Sequence, residues 1–252
     1  MLKSSSMSLS VRKLTIVGVL GAISAVLGLT PLGFIPIGPT RATIMHIPVI
    51  IGAIVEGPVV GMLVGLIFGI FSMIQAIMNP TPVSFVFLNP LVSLLPRVLI
   101  GLVAYYSYIV FKKMGRGASI VTLFIIWMST LIYLIKSFIT QLNTEGIGMW
   151  QIVLSGLLVL VTLIIGYLAQ KKLNYKALEV VISAALGTLT NTVLVLFMIY
   201  ILYAQQFVEK IGGNTDLAGK VIFGIGIANG IPEVIVAMLI VTGVVMSLRK
   251  QH

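Results

Sequence analysis

The chain has 252 residues, 59% hydrophobic and 9% charged, with 16 Lys and Arg against 6 Asp and Glu for a formal charge of +10. A charged share about a third of the ~25% usual in soluble domains excludes a soluble globular protein, and basic residues that fall in short clusters between apolar runs, not in one aromatic-laced stripe, exclude a nucleic-acid surface. The lack of cysteine excludes disulfides, thiolate metal sites and cysteine nucleophiles, and two histidines, one of them His252, give no basis for a histidine metal site.

Several runs exceed the roughly 18 to 20 apolar residues that cross a hydrocarbon core of about 30 Å. Divided at Pro, Gly and charge, they predict eight helices at 14–30, 42–56, 58–78, 91–111, 118–138, 150–170, 178–204 and 219–247. The expected architecture is all-α, a polytopic transmembrane helical bundle forming a single membrane domain over 1–252. The first helix follows the basic pair Arg12 and Lys13 in the order of a signal peptide, but no small-residue cleavage site with polar chain beyond it follows, so it is expected to stay as an uncleaved first span.

Between the first two helices lies "TPLGFIPIGPTRA", and "TRATIMHIP" then places Arg41 and His46 in the outer half of the bundle. Taken alone, Arg41 reads as a solvated loop charge and His46 as an interfacial or satisfied buried histidine. Helices two and three meet at Glu56-Gly57-Pro58, where Gly suits the end of one helix and Pro the first turn of the next. Gly57, Gly61, Gly65 and Gly69 then recur every fourth residue, a bare stripe that serves either tight internal packing or a face for a partner.

The fourth helix, in "LNPLVSLLPRVLIG", carries Arg97 about 15 residues, or ~22 Å at helical rise, from the border marked by Lys112 and Lys113. An ionisable group inside a membrane costs ~2.5 to 3.5 kcal/mol by insertion scales and needs a purpose. Arg97 can snorkel outward, pair with Glu233, or hold a carboxylate ligand, with Asn89 one turn earlier able to join it. The seventh helix holds Thr188, Thr190, Asn191 and Thr192 in "GTLTNTVLVL", where a threonine ordinarily bonds its own backbone and Asn191 is harder to dismiss. In the eighth, "ANGIPEVIVAML" puts Asn229 and Glu233 four residues apart on one face, near mid-membrane, with Gly230 and Pro232 loosening the backbone between them. That is either a polar site or a kink with Glu233 paired to a buried cation.

Arg12 and Lys13, then Lys112, Lys113 and Arg116, then Lys171, Lys172 and Lys176, then Arg249 and Lys250 fall on one side of an eight-helix path. By the positive-inside rule that side is cytoplasmic, giving a multi-pass cell-membrane protein with both termini inside. Enzyme signatures are missing. "GGNTDLAGKV" has Asn214 and Val221 where a phosphate-binding loop needs Gly and Ser or Thr, so no catalytic residue, cofactor or ATP site is expected.

The segments "TRATIMHIPVIIGAIVEGPVVGMLVGLIFGIFSMIQA", "NPTPVSFVFLNPLVSLLPRVLIG", "ALGTLTNTVLVL" and "NGIPEVIVA", in that order, resemble the substrate-binding S components of energy-coupling factor (ECF) vitamin transporters, most closely the pantothenate-type branch. The resemblance implies a chain that binds a small-molecule vitamin from outside and docks on a transmembrane T component with two ATP-hydrolysing subunits in the lipid bilayer. It implies a six-helix core over 14–111 and 178–247, with 118–170 as an additional hairpin in which Lys136 is peripheral. It places Thr40, Arg41 and His46 at a lid and rim over the vitamin, Arg97 on its carboxylate, and Gln75, Asn89, Asn191 and Asn229 as hydrogen-bonding residues, with Glu233 orienting Arg97 or accepting from a ligand hydroxyl. The family's small-residue face on helix one maps to Gly18 and Ala22, or in a second register to Gly21 and Ala25. The competing expectations are an S component for another vitamin such as riboflavin, a stand-alone proton-coupled carrier using Glu233, and a non-transporting scaffold.

Overall fold

The computed structural model describes residues 10–37, 40–143, 149–172 and 175–250. Ser10 caps the first helix, α1 (Val11–Leu29), its hydroxyl accepting from Lys13 N–H at 3.4 Å. A 3₁₀ turn at Pro31–Gly33 then leads into a short antiparallel hairpin, β1 (Phe34–Ile37) and β2 (Thr40–Thr43), with Phe34 opposite Thr43 and Ile37 opposite Thr40. The second helix, expected from residue 42, therefore begins later, as α2 (Ile47–Glu56). Alternating β-branched residues and Pro36 favour extended chain before it, and Pro48 sits in its first turn, where proline is pre-organised to start a helix.

At ten residues α2 is about 15 Å long, half a bilayer. It is nevertheless the centre of the molecule, because eight of those ten residues are buried. Val49, Ile50 and Ala53 are fully covered by Val60 and Val64 of α3 (Pro58–Met78), by Ile100 and Ala104 of α5 (Leu95–Met114), and by residues of the last two helices. Gly57 turns the chain between α2 and α3 with φ +102°, a conformation that suits glycine.

The glycine stripe proves to be internal packing. A Cβ on Gly61 would stand 2.9 Å from the Gly101 Cα, one on Gly69 2.7 Å from the Ser93 carbonyl oxygen, and one on Gly65 would collide with the Arg97 carbonyl. These three glycines bring the backbones of α3 and α5 together, and so fix where Arg97 stands. Upstream of α5 the expected single helix is broken: α4 (Pro90–Ser93) is one turn, and α5 restarts at Leu95 with Pro96 in its first turn.

The stretch expected as a hairpin over 118–170 forms α6 (Arg116–Leu142) and α7 (Met149–Lys172), joined across their faces by Trp127 Nε1 donating to the Thr162 carbonyl at 2.9 Å. Helix α6 also packs on α5 and α8. The chain closes with α8 (Tyr175–Lys210), bent where Tyr203 leaves helical geometry, and α9 (Ala218–Lys250), which carries Pro232 inside it. Six of the described helical segments are long and apolar enough to cross a membrane.

The antiparallel α3–α5 contact puts the α2–α3 turn and the end of α5 at one end of the bundle. There Arg12 pairs with Glu56 at 3.0 Å, and Arg249 donates to the Tyr108 hydroxyl at 2.7 Å while both it and Lys112 lie over the Tyr108 ring. Three of the basic clusters thus share one end. The hairpin β1–β2 lies at the other, as does a second apolar cluster in which Val86 and Val92 pack on Val195, Ile199, Phe207 and Val208.

Candidate ligand-binding site

The head of α2 carries the most informative polar residue of the fold. His46 is 0% exposed, and its Nε2 lies 3.0 Å from Thr188 Oγ1 on α8. Thr188 has one hydroxyl proton and donates it to the Ala184 carbonyl at 2.8 Å. The threonine oxygen must then accept from the histidine, which assigns the imidazole proton to Nε2 and leaves Nδ1 as a lone-pair acceptor. That Nδ1 is buried and has no partner.

The same face of α8 continues the cluster one turn on. Asn191 is buried with its Oδ1 unpaired, and Thr192 Oγ1 donates to Glu233 Oε2 at 3.0 Å. Glu233 takes two further bonds at Oε1, from the N–H and the hydroxyl of Thr43 in β2, each 2.9 Å. Asn229, one turn before Glu233 on α9, has a buried and unpaired Oδ1 as well.

Arg97 is 5% exposed. Its Nη1 donates to the Val92 carbonyl, its Nη2 reaches Ser72 Oγ at 3.5 Å, and its guanidinium lies 5.4 Å and 5.7 Å from the ring centres of Phe68 and Phe87. Its Nε has no partner. Among the described residues it forms no ion pair. Glu233 is therefore occupied by hydroxyls and a backbone N–H and does not pair with Arg97.

Four polar atoms of this cluster are thus buried without partners, one donor on Arg97 and three acceptors on His46, Asn191 and Asn229. Each unsatisfied group costs about 1–3 kcal/mol. A fold that leaves one buried cationic donor and three buried acceptors unpaired is suited to a ligand that supplies one acceptor group and several donors.

The remaining sequence candidates are placed as follows. Asn89 caps α4, accepting from Leu91 N–H at 2.9 Å, and donates through Nδ2 to the Tyr203 hydroxyl at 3.0 Å. Gln75 is half-buried near the end of α3, one turn beyond Ser72, and accepts from Asn79 at 3.2 Å. Thr40 and Arg41 lie in β2, and their side chains fall outside the described residues. Two members of the cluster, Thr43 and Ser72, had not been singled out by sequence. Ser72 breaks an apolar run on the Gln75 face of α3, which is a signal; Thr43 is one threonine among several, and nothing local marks it.

The two small-residue registers of α1 separate cleanly. Gly18 and Ala22 are exposed, and a Cβ on Gly18 meets nothing within 4 Å. Gly21 and Ala25 are buried, and a Cβ on Gly21 would stand 2.6 Å from Ile67 of α3.

The family model described as ECF transporter, substrate-specific component, matches residues 12–135 and 118–245, two stretches that overlap within α6. The pantothenic acid transporter PanT of Lactococcus lactis subsp. cremoris (strain MG1363) is 33% identical over 94 residues, covering 31% of this chain and 48% of that protein. The chain thus spans about half the length of the relative it matches. With the family match running from α1 into the last turns of α9, this chain belongs to the substrate-specific components of ECF transporters, a family of transport proteins and not of enzymes.

Proposed function

We propose that this protein is the vitamin-binding S component that captures pantothenate outside the cell and delivers it inward with a T component and two ATP-hydrolysing subunits. The observation that carries the reading is the buried Arg97 with its free Nε, in one cluster with the unpaired acceptors of His46, Asn191 and Asn229. Pantothenate offers a carboxylate for the guanidinium, and two hydroxyls and an amide N–H for the acceptors. The similarity to a pantothenic acid transporter supports the same ligand.

The basic end of the bundle is the cytoplasmic one in this reading, so both termini lie inside and the hairpin β1–β2 roofs the site from outside. Of the two α1 registers, Gly18 and Ala22 form the face for the T component, since Gly21 and Ala25 are already used against α3. The hairpin of α6 and α7 is an addition to the core, and α6 seats it against α5 and α8.

The test is equilibrium binding of labelled pantothenate to the purified full chain and to Arg97→Ala, followed by uptake in vesicles with and without the T component and ATPases. Binding that needs Arg97, with uptake that needs the partners, supports the reading. Tight binding of another vitamin in preference to pantothenate removes the ligand assignment, and partner-free uptake that follows the proton gradient removes the energising module.

A further inference from the structure

Ser24 Oγ donates to the Met45 carbonyl at 3.2 Å, and His46 bonds Thr188, so the segment entering α2 is tied to α1 and α8. Strand β2 itself is tied differently. Its last residue, Thr43, directs its N–H and its hydroxyl to one oxygen of Glu233, 190 positions away in α9, and Thr192 holds the other oxygen. The neighbouring amide, Ile44 N–H, instead donates to the Gly33 carbonyl at 3.0 Å, a contact internal to the loop. The unpaired His46, Asn191 and Asn229 acceptors are buried, Asn191 beside Thr192 on α8 and Asn229 one turn before Glu233 on α9.

Glu233 also follows Pro232, which lacks an N–H and leaves the Ala228 carbonyl without its helical donor. The carboxyl group is therefore mounted on a turn of α9 that lacks one backbone hydrogen bond. We infer that Glu233 is a positioning residue for ligand entry: by gripping both Thr43 donors and Thr192 it holds the outer hairpin over the polar cluster, and this grip must open before a ligand enters. The inference rests on the reading of the cluster as a binding site.

Two measurements on the full chain in lipid nanodiscs test it, using Thr43→Val, which keeps the side-chain shape but removes one donor, and Glu233→Leu, which removes the acceptor at similar size. The first is hydrogen exchange of the ligand-free protein, resolved at Thr43 and Ile44. Release of the clasp raises exchange at Thr43 by about tenfold or more in Glu233→Leu while Ile44 stays protected by Gly33. An unchanged Thr43, or an equal rise at both amides that reports general loosening, overturns the inference. The second is stopped-flow association of pantothenate. Both variants should associate several-fold faster than the parent chain, whereas unchanged or slower association overturns the gating role. If the parent chain binds no pantothenate but the exchange pattern appears, the ligand assignment fails and the clasp stands. If pantothenate binds and the exchange pattern is absent, the clasp fails and the ligand assignment stands.

Discussion

Replacing Arg97 separates a group kept for binding from one kept for stability. In the ligand-free protein its guanidinium is nearly buried, spends one bond on the Val92 carbonyl and a long one on Ser72, and leaves Nε unpaired. A desolvated cation with so few partners contributes little net stability, and exchanging it for an apolar side chain of similar length is often neutral or favourable. Arg97→Met should therefore shift the unfolding free energy of the ligand-free protein by no more than about 1 kcal/mol, in either direction. The same change leaves a buried carboxylate of the ligand without its charged donor. The loss should exceed about 2 kcal/mol, a weakening of roughly 30-fold in Kd. Arg97→Lys keeps the charge but not the planar fork, and should fall between. The assay is calorimetric titration with pantothenate alongside thermal unfolding in the same detergent. A fall in stability with binding retained, or a binding loss under about 1 kcal/mol for Arg97→Met, refutes the assignment of Arg97 to the carboxylate.

Gly65→Ala drives a methyl group into the Arg97 carbonyl and should destabilise the fold by about 1–3 kcal/mol and weaken ligand binding together, seen as parallel losses in unfolding temperature and affinity. Gly18 is exposed and a Cβ there meets nothing within 4 Å, so Gly18→Leu should leave stability and ligand binding unchanged while abolishing uptake in reconstituted vesicles; lost binding would make α1 a folding element there. Tyr203→Phe removes one end of its bond with Asn89 and should cost about 1 kcal/mol, Asn89→Ala also removes the α4 cap and should cost about 2 kcal/mol, and the double variant should lose little more than Asn89→Ala alone, measured as a double-mutant cycle. Trp127→Phe breaks the tie between α6 and α7 and should leave pantothenate affinity unchanged, because among the described residues neither helix contributes to the polar cluster; a changed Kd would bring the hairpin into the site.

The membrane architecture was legible because apolar runs of span length leave few alternatives, and the four-residue glycine spacing pointed correctly to backbone contact. Arg97 was legible for a related reason: a cation so far from the basic border must be accommodated by something. The hairpin β1–β2 was not. Pro36, Gly38 and Pro39 mark any loop, and the run through Ile44 and Met45 resembles the start of a helix until Pro48 sets the first turn. The Thr43–Glu233 bonds were hidden by distance, since the two residues are 190 positions apart, and mid-membrane polarity alone left Glu233 open between a polar site and pairing with a buried cation. Asn89 looked like a ligand residue by its place before Arg97, but the broken helix needs a cap there, and its side chain is used for that and for Tyr203. Thr188 had the ordinary look of a threonine bonding its own helix, which it does; that same bond is what assigns the His46 proton.

The central claim is that the cluster below the outer hairpin holds pantothenate. Mass spectrometry of the small molecule released when the purified chain is denatured tests it most directly, after growth with the vitamin and mild purification. The account predicts pantothenate at close to one equivalent per chain, reduced strongly in Arg97→Ala. Release of a different vitamin, or an empty chain that also fails to take up added pantothenate, contradicts it.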